Sequence, residues 1–164
     1  MQPRVRQACL FAVVALGLVI LLAGTALAQP GSSNLGTWKL NLAKSTFAPG
    51  TAPKSAIFTN VVAGPGIKST SDTVRADGTA AHSENTEVYD GKERPISGNS
   101  LNGDTVAGTR VDANTLKFVY KKNGKVTVTS TNVASSDGKT YTVTAKGTNT
   151  LGQTVNTVAI YDRQ

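Results

Sequence analysis

The sequence predicts an all-β protein, an antiparallel up-and-down meander β-barrel of about eight to ten strands behind an N-terminal signal peptide. Three observations carry this reading. Turn dipeptides recur at hairpin spacing, at Asp77-Gly78, Asp90-Gly91, Asn102-Gly103, Asn123-Gly124 and Asp137-Gly138, and such pairs enter left-handed turn geometry cheaply. The stretches between them are rich in β-branched residues, as in KVTVTSTNV (125–133), KTYTVTAKG (139–147) and QTVNTVAIY (153–161). Beyond residue 28, no window has the apolar period of an amphipathic helix.

Residues 1–28 read as the signal peptide. Arg4 and Arg6 precede an almost wholly apolar run, Leu10 to Gly24, and Ala26-Leu27-Ala28 supplies the small-x-small pattern for cleavage before Gln29. The competing reading is an uncleaved anchor, since Leu10–Ala28 approaches the length of a membrane span. A lipoprotein needs a cysteine at the cleavage point, and the one cysteine, Cys9, comes too early. Residues 29–164 then form a single β-barrel domain with no membrane insertion after cleavage, in the periplasm or outside the cell. Without cysteine, that domain has neither disulfides nor thiol chemistry.

The expected strands lie near 36–41, 55–63, 67–75, 80–89, 93–97, 104–111, 115–122, 125–133, 140–147 and 153–161, after a flexible GSSNL at 31–35. Between the first two, LAKSTFAPGTAP (42–53) is kept out of a sheet by Pro49, Gly50 and Pro53, with room for one helical turn at Lys44–Phe47. Phe47 is expected to plug one end of the core, as a long loop needs an apolar pin. Alternation puts Leu116, Phe118 and Tyr120 on one inward face, Tyr141, Val143 and Ala145 on another, and Val155, Thr157, Ala159 and Tyr161 on a third. The strand at 55–63 is apolar on both sides, with Ile57 and Val61 opposite Phe58 and Val62, and is expected to pack on both.

A meander of this length must close or leave two exposed edges, which favours the barrel. A two-sheet sandwich is the runner-up, since short turns leave few crossovers. A membrane-spanning barrel needs a lipid-facing apolar band that TNVASS and TAAHSENTE do not supply.

GTWKLN, residues 36–41, opens the first strand with the only tryptophan. Its Gly-x-Trp resembles the opening motif of the lipocalin and calycin barrels. GTWKLNLAKSTFAPGTAPKS (36–55), EVYDGKERPISG (87–98) and the segment 135–164 resemble more closely a family of small, mostly uncharacterised secreted bacterial proteins described as lipocalin-like. The resemblance implies that Gly36 and Trp38 close the barrel base beneath a basic residue near the end of the last strand. Arg163 is the natural partner and Lys146 a less natural one, and a guanidinium there would make a cation–π contact. Trp38 is therefore expected to be a structural anchor rather than a ligand-stacking residue.

Little in the sequence points to catalysis. His82, the only histidine, shares a strand face with Glu84, and Asp72 could reach it from a neighbouring strand. A metal site asks for more ligands than that, so neither a metal nor a cofactor is expected. Glu87, Asp90 and Glu93 lie beside Lys92 and Arg94 and read as solvated hairpin charges rather than a carboxylate pair. There is no G-x-S-x-G. The formal charge is +7, but the bases are scattered, and Lys121, Lys122 and Lys125 around a turn have only Tyr120 as an aromatic neighbour. Nucleic acid is accordingly not an expected partner.

The aromatics are the more informative set. Tyr89, Tyr120, Tyr141 and Tyr161 fall near strand ends and, with Phe58 and Phe118, would form the wall and rim of a hollow barrel or the filling of a solid one. The first case gives a non-enzymatic carrier of a small hydrophobic or amphipathic ligand. The second gives a structural module that binds an envelope protein. An enzyme using His82 stands third.

Overall fold

The computed structural model describes residues 32–164, so the expected leader at 1–28 and Cys9 lie outside the described residues. Eleven strands form one antiparallel sheet. They are β1 (Gly36–Leu40), β2 (Ser55–Ala63), β3 (Gly66–Val74), β4 (Ala80–Glu87), β5 (Asp90–Pro95), β6 (Ser97–Gly98), β7 (Thr105–Arg110), β8 (Thr115–Lys122), β9 (Lys125–Ala134), β10 (Thr140–Thr148) and β11 (Thr154–Arg163). The expected meander barrel is the observed architecture. The first and last strands pair directly, with Trp38 opposite Arg163 and Leu40 opposite Tyr161.

The sheet order places β5 at one edge and β6 at the other. These two strands are consecutive in the chain, separated only by Ile96. One segment therefore touches both edges, pairing with β7 through Asp90–Pro95 and with β4 through Ser97 and Gly98. This explains the strand the sequence did not separate. Beyond Pro95, the last residue laddered to β7, Ile96 still donates its N–H to Asp104 O at 2.8 Å, and the chain then crosses to β4. The barrel is thus nearly closed, with a seam where the end of β4 and β5 make no ladder.

Three turn signals behave as read. Asp77-Gly78 and Asp137-Gly138 close turns, and Asn123-Gly124 has both residues at positive φ, 50° and 75°, between β8 and β9. Asp90-Gly91 does not make a turn. The reversal falls at Val88-Tyr89, with Tyr89 at φ 58°, and the dipeptide begins β5 beside a register shift between Asp90 and Glu93. Asn102-Gly103 lies in an irregular connection before β7.

Packing corrects two further expectations. GSSNL is structured: Ser32–Asn34 forms a 3-10 turn, and Asn34 is buried at the barrel base. Asn34 O accepts from Trp38 Nε1 (3.2 Å) and Asn60 Nδ2 (2.8 Å), while Asn34 Nδ2 donates to the Tyr89 hydroxyl (2.9 Å). Strand β2 packs on one face only; Ala56, Phe58 and Asn60 point in, whereas Ile57 and Val61 are exposed on the outer wall. Among the described residues no second layer covers them, because the barrel is a single, nearly closed sheet. Phe47 packs against Leu40, Ala56 and Ala159, the pin expected of its loop, and the loop opens with a short 3-10 turn at Leu42–Lys44.

Candidate ligand cavity

The barrel base is built around the tryptophan. Trp38 is fully buried, and the Arg163 guanidinium carbon stands 4.3 Å from the centre of its ring. Arg163 also donates to the carbonyls of Gly138, Leu35 and Ser33. Gly36 gives the guanidinium its space, because a Cβ there would lie 2.5 Å from Arg163 Nη1. Its φ of 108° is also one that side-chain-bearing residues rarely adopt. Gly-x-Trp therefore pairs with Arg163 by geometry, and Lys146 is exposed on β10, away from this contact.

Above the base the interior is hollow. An inner chamber of about 180 Å³ adjoins a mouth of about 360 Å³ at the opposite end of the barrel, the two sharing Ser71, Ser83, Ser100 and Asn102 in their walls. The mouth is framed by the 50–53 loop, the 75–77 turn and Leu151. All six aromatic residues singled out in the sequence line the inner chamber. They fall into two groups. Phe58 and Tyr141 pack on each other and around Trp38, with Phe58 also against Tyr161. Tyr89, Phe118 and Tyr120 form the second group.

Polar side chains share the chamber with the rings, a feature that sequence reasoning missed. Ser69, Asn85, Asn60, Asn132 and Glu87 all line it. Glu87, expected to be a solvated hairpin charge, is only 2% exposed. Alternation along β4 turns Ala81, Ser83, Asn85 and Glu87 inward together, and the last of these reaches deepest. Glu87 Oε2 accepts the backbone N–H of Gly108 at 3.0 Å. Gly108 permits this approach because a Cβ would stand 2.8 Å from that oxygen and 3.0 Å from the Phe118 ring.

Burial pushes the Glu87 carboxyl up to about 7, against the opposing pull of the Gly108 N–H and of Arg94, whose Nη1 lies 3.9 Å from Oε2. Burial likewise raises Tyr89 and Tyr161 to about 12 and Tyr120 and Tyr141 higher still, so the tyrosine hydroxyls stay protonated at neutral pH. Three acceptor atoms on the chamber-lining residues lack a partner: Glu87 Oε1, Asn60 Oδ1 and Asn132 Oδ1.

The remaining candidates lie elsewhere. His82 pairs with Asp72 across the β3–β4 ladder, with Nδ1 2.7 Å from Oδ1, and has Glu84 at 3.8 Å, all on the outer wall. More than half of its side chain is exposed. Asp90 is held by Arg94 through two contacts of 2.8 and 3.0 Å, which keep its carboxyl well below the usual range. Glu93 is paired with Lys121 on the surface. Among the described residues, no group of three or more His, Cys, Asp or Glu could hold a metal ion, and no helix is long and apolar enough to cross a membrane.

No protein-family model matches the chain, and no curated protein sequence does either. A solved structure is distantly similar in its barrel: zebrafish ileal bile acid-binding protein in complex with cholic acid. That likeness has a TM-score of 0.48 and 12% identity, over 81% of this chain and 100% of that one.

Proposed function

We propose that the protein is a non-enzymatic binder that holds one small amphipathic molecule inside its barrel. The observation that carries this reading is the pair of adjoining hollows, mouth and inner chamber, the inner one lined by six aromatic rings and a set of polar groups. Sites of this kind gain affinity by desolvating rings and gain orientation from a few fixed polar atoms. The inner chamber is smaller than a drug-sized pocket, so a compact ligand fits, with any longer tail running into the mouth. Glu87 is the one carboxylate among the chamber-lining residues, and His82 lies on the outer wall. This arrangement supports binding, since the chamber lining holds neither a carboxylate pair nor a histidine beside Glu87.

The leader-like residues 1–28 support secretion, with the periplasm or the extracellular space as the place of action. The stretch GTWKLNLAKSTF supports placing the chain with the small secreted bacterial lipocalin-like proteins.

The test is a titration of the purified 29–164 protein with 1-naphthol, a neutral and compact fluorophore. The expected result is saturable uptake at one site per chain, abolished by Ser71→Trp, which fills the neck between mouth and chamber. Absence of saturable uptake, or uptake that Ser71→Trp leaves intact, contradicts the reading.

A further inference from the structure

We propose that the inner chamber is a receptor site for a compact organic ammonium ion, with its charge met by Glu87 and its body lying among the tyrosine and phenylalanine rings. This inference rests on the reading of the barrel interior as a ligand cavity and names the chemical class that the cavity selects.

The hydrogen-bonding groups of the chamber favour a donor. Among the fully buried side-chain atoms on the chamber-lining residues, those without a partner are all acceptors. Asn60 is fixed in this role: its Nδ2 donates to Asn34 O, which leaves Oδ1 as the free end. Glu87 Oε2 takes the Gly108 N–H, the Asn85 amide lies beside the carboxyl, and Oε1 accepts no hydrogen bond. Asn60 is 6% exposed and Asn132 9%, so bulk water does not compensate them. Buried acceptors of this kind call for donors, and an ammonium group offers only donors.

Charge favours a cation. Arg94 is the cation nearest Glu87, but it is engaged by both oxygens of Asp90 at 2.8 and 3.0 Å and stands 3.9 Å from Glu87. Glu87, Asp90 and Arg94 together therefore carry one uncompensated negative charge when Glu87 is ionised. Tyr89 and Tyr120, the other titratable groups facing Glu87, stay neutral. A cation in the chamber would supply the missing partner, whereas a carboxylate ligand would set like charges together in a low-dielectric site.

The ring set favours a cation too. Aromatic faces attract cations through the ring quadrupole, most strongly where water is excluded. The donors that also lack partners do not argue for an anion in this chamber. Arg110 Nη2 belongs to a residue outside the chamber lining whose guanidinium stacks on Tyr89, leaving the other rings for a ligand, and Arg75 Nε lies at the mouth. The basic surface opposes cations only weakly at physiological salt, where surface charges are screened within about 8 Å.

The experiment compares benzylammonium, benzyl alcohol and benzoate, three ligands of one shape and three charges, by calorimetric titration into the 29–164 protein at pH 8. The expected order is benzylammonium tightest, by about tenfold or more over the alcohol, with benzoate weakest. Glu87→Gln should erase the preference for the amine while keeping the alcohol. Affinity for benzylammonium should also rise between pH 5 and 8 as Glu87 ionises. If the alcohol or benzoate binds as well as the amine, or if Glu87→Gln leaves the preference intact, the ammonium assignment is overturned and the cavity reading stands. If none of the three binds, both are overturned. The wild-type comparison needs no variant to fold.

Discussion

Glu87 holds the most consequential atoms in the molecule. Its carboxyl is raised from an ordinary 4.5 to about 7 by burial. Between those values the folded protein keeps a proton that the unfolded chain has released. Folding stability attributable to this group is therefore full below about pH 4.5 and is lost as pH rises through 7. Glu87→Gln removes that dependence while leaving an oxygen for the Gly108 N–H. The variant should match the wild type in urea denaturation at pH 4 and exceed it by up to about 3 kcal/mol at pH 8. A group that lowers stability at neutral pH is the kind retained for binding rather than for folding.

Arg163 is the counterpart at the base, where charge is well used. It stacks on Trp38 and ties the last strand to three backbone carbonyls. Arg163→Ala should lower stability by about 2–3 kcal/mol, read by the same denaturation. Gly36→Ala should also destabilise, by about 1–3 kcal/mol, through its positive φ and its collision with Arg163. The double variant should show a coupling of at least about 0.5 kcal/mol, because only the collision disappears with the arginine. Strict additivity would separate the Gly-x-Trp motif from Arg163.

At the scale of elements, the closing segment differs from every other strand. β8, β9, β10 and β11 form long ladders, with one register shift at Tyr120/Lys121, whereas β6 contributes two pairs and β5 is short and shifted in register. A hollow of about 560 Å³ lies on the outer side of this seam, and only Ile96 and Asn85 line both it and the inner chamber. Ile96 also packs against the cluster of Val106, Leu116 and Phe118. Ile96→Ala should destabilise by about 1–3 kcal/mol, toward the low end of the range for buried isoleucine because Ile96 is only half-buried, and should speed ligand release by thinning this wall. Stopped-flow dissociation of 1-naphthol measures the second effect, and an unchanged rate would leave the mouth as the single route.

The closing segment was also the least legible element. Strands β8 to β11 announce themselves by β-branched runs between turn dipeptides. Asp90-Gly91 carries the same turn signal, yet it starts a strand, because the reversal is held at Val88-Tyr89 by the tyrosine's own contacts with Asn34 and Arg110. Tertiary contacts to the base overrode a local preference.

For the whole molecule, the hollow interior explains which parts of the site could be read in advance. A packed barrel marks its inner face with apolar residues, and alternation then tells inside from outside. Here the inward residues of β3 and β4 include Ser69, Ser71, Ser83, Asn85 and Glu87, while β2 shows Ile57 and Val61 to water. The binary pattern is scrambled on these strands, so Glu87 looked like a surface charge. The aromatic residues remained visible because tyrosines and phenylalanines at strand ends are distinctive in a chain of Thr, Val, Ser and Gly. Asn34 was hidden for a simpler reason: its role depends on contacts with Trp38, Asn60 and Tyr89, none of them set by local sequence.

The central claim is that the ligand enters the barrel and meets the polar groups within it. The most direct measurement is an amide-resolved NMR titration of the 29–164 protein with benzylammonium at pH 8. The account predicts saturable shifts centred on the Gly108 amide and the side-chain amides of Asn60, Asn85 and Asn132, with the outer-wall residues Ile57 and Val61 unmoved. Shifts confined to the outer wall, or no saturable shift on the chamber residues, would contradict it.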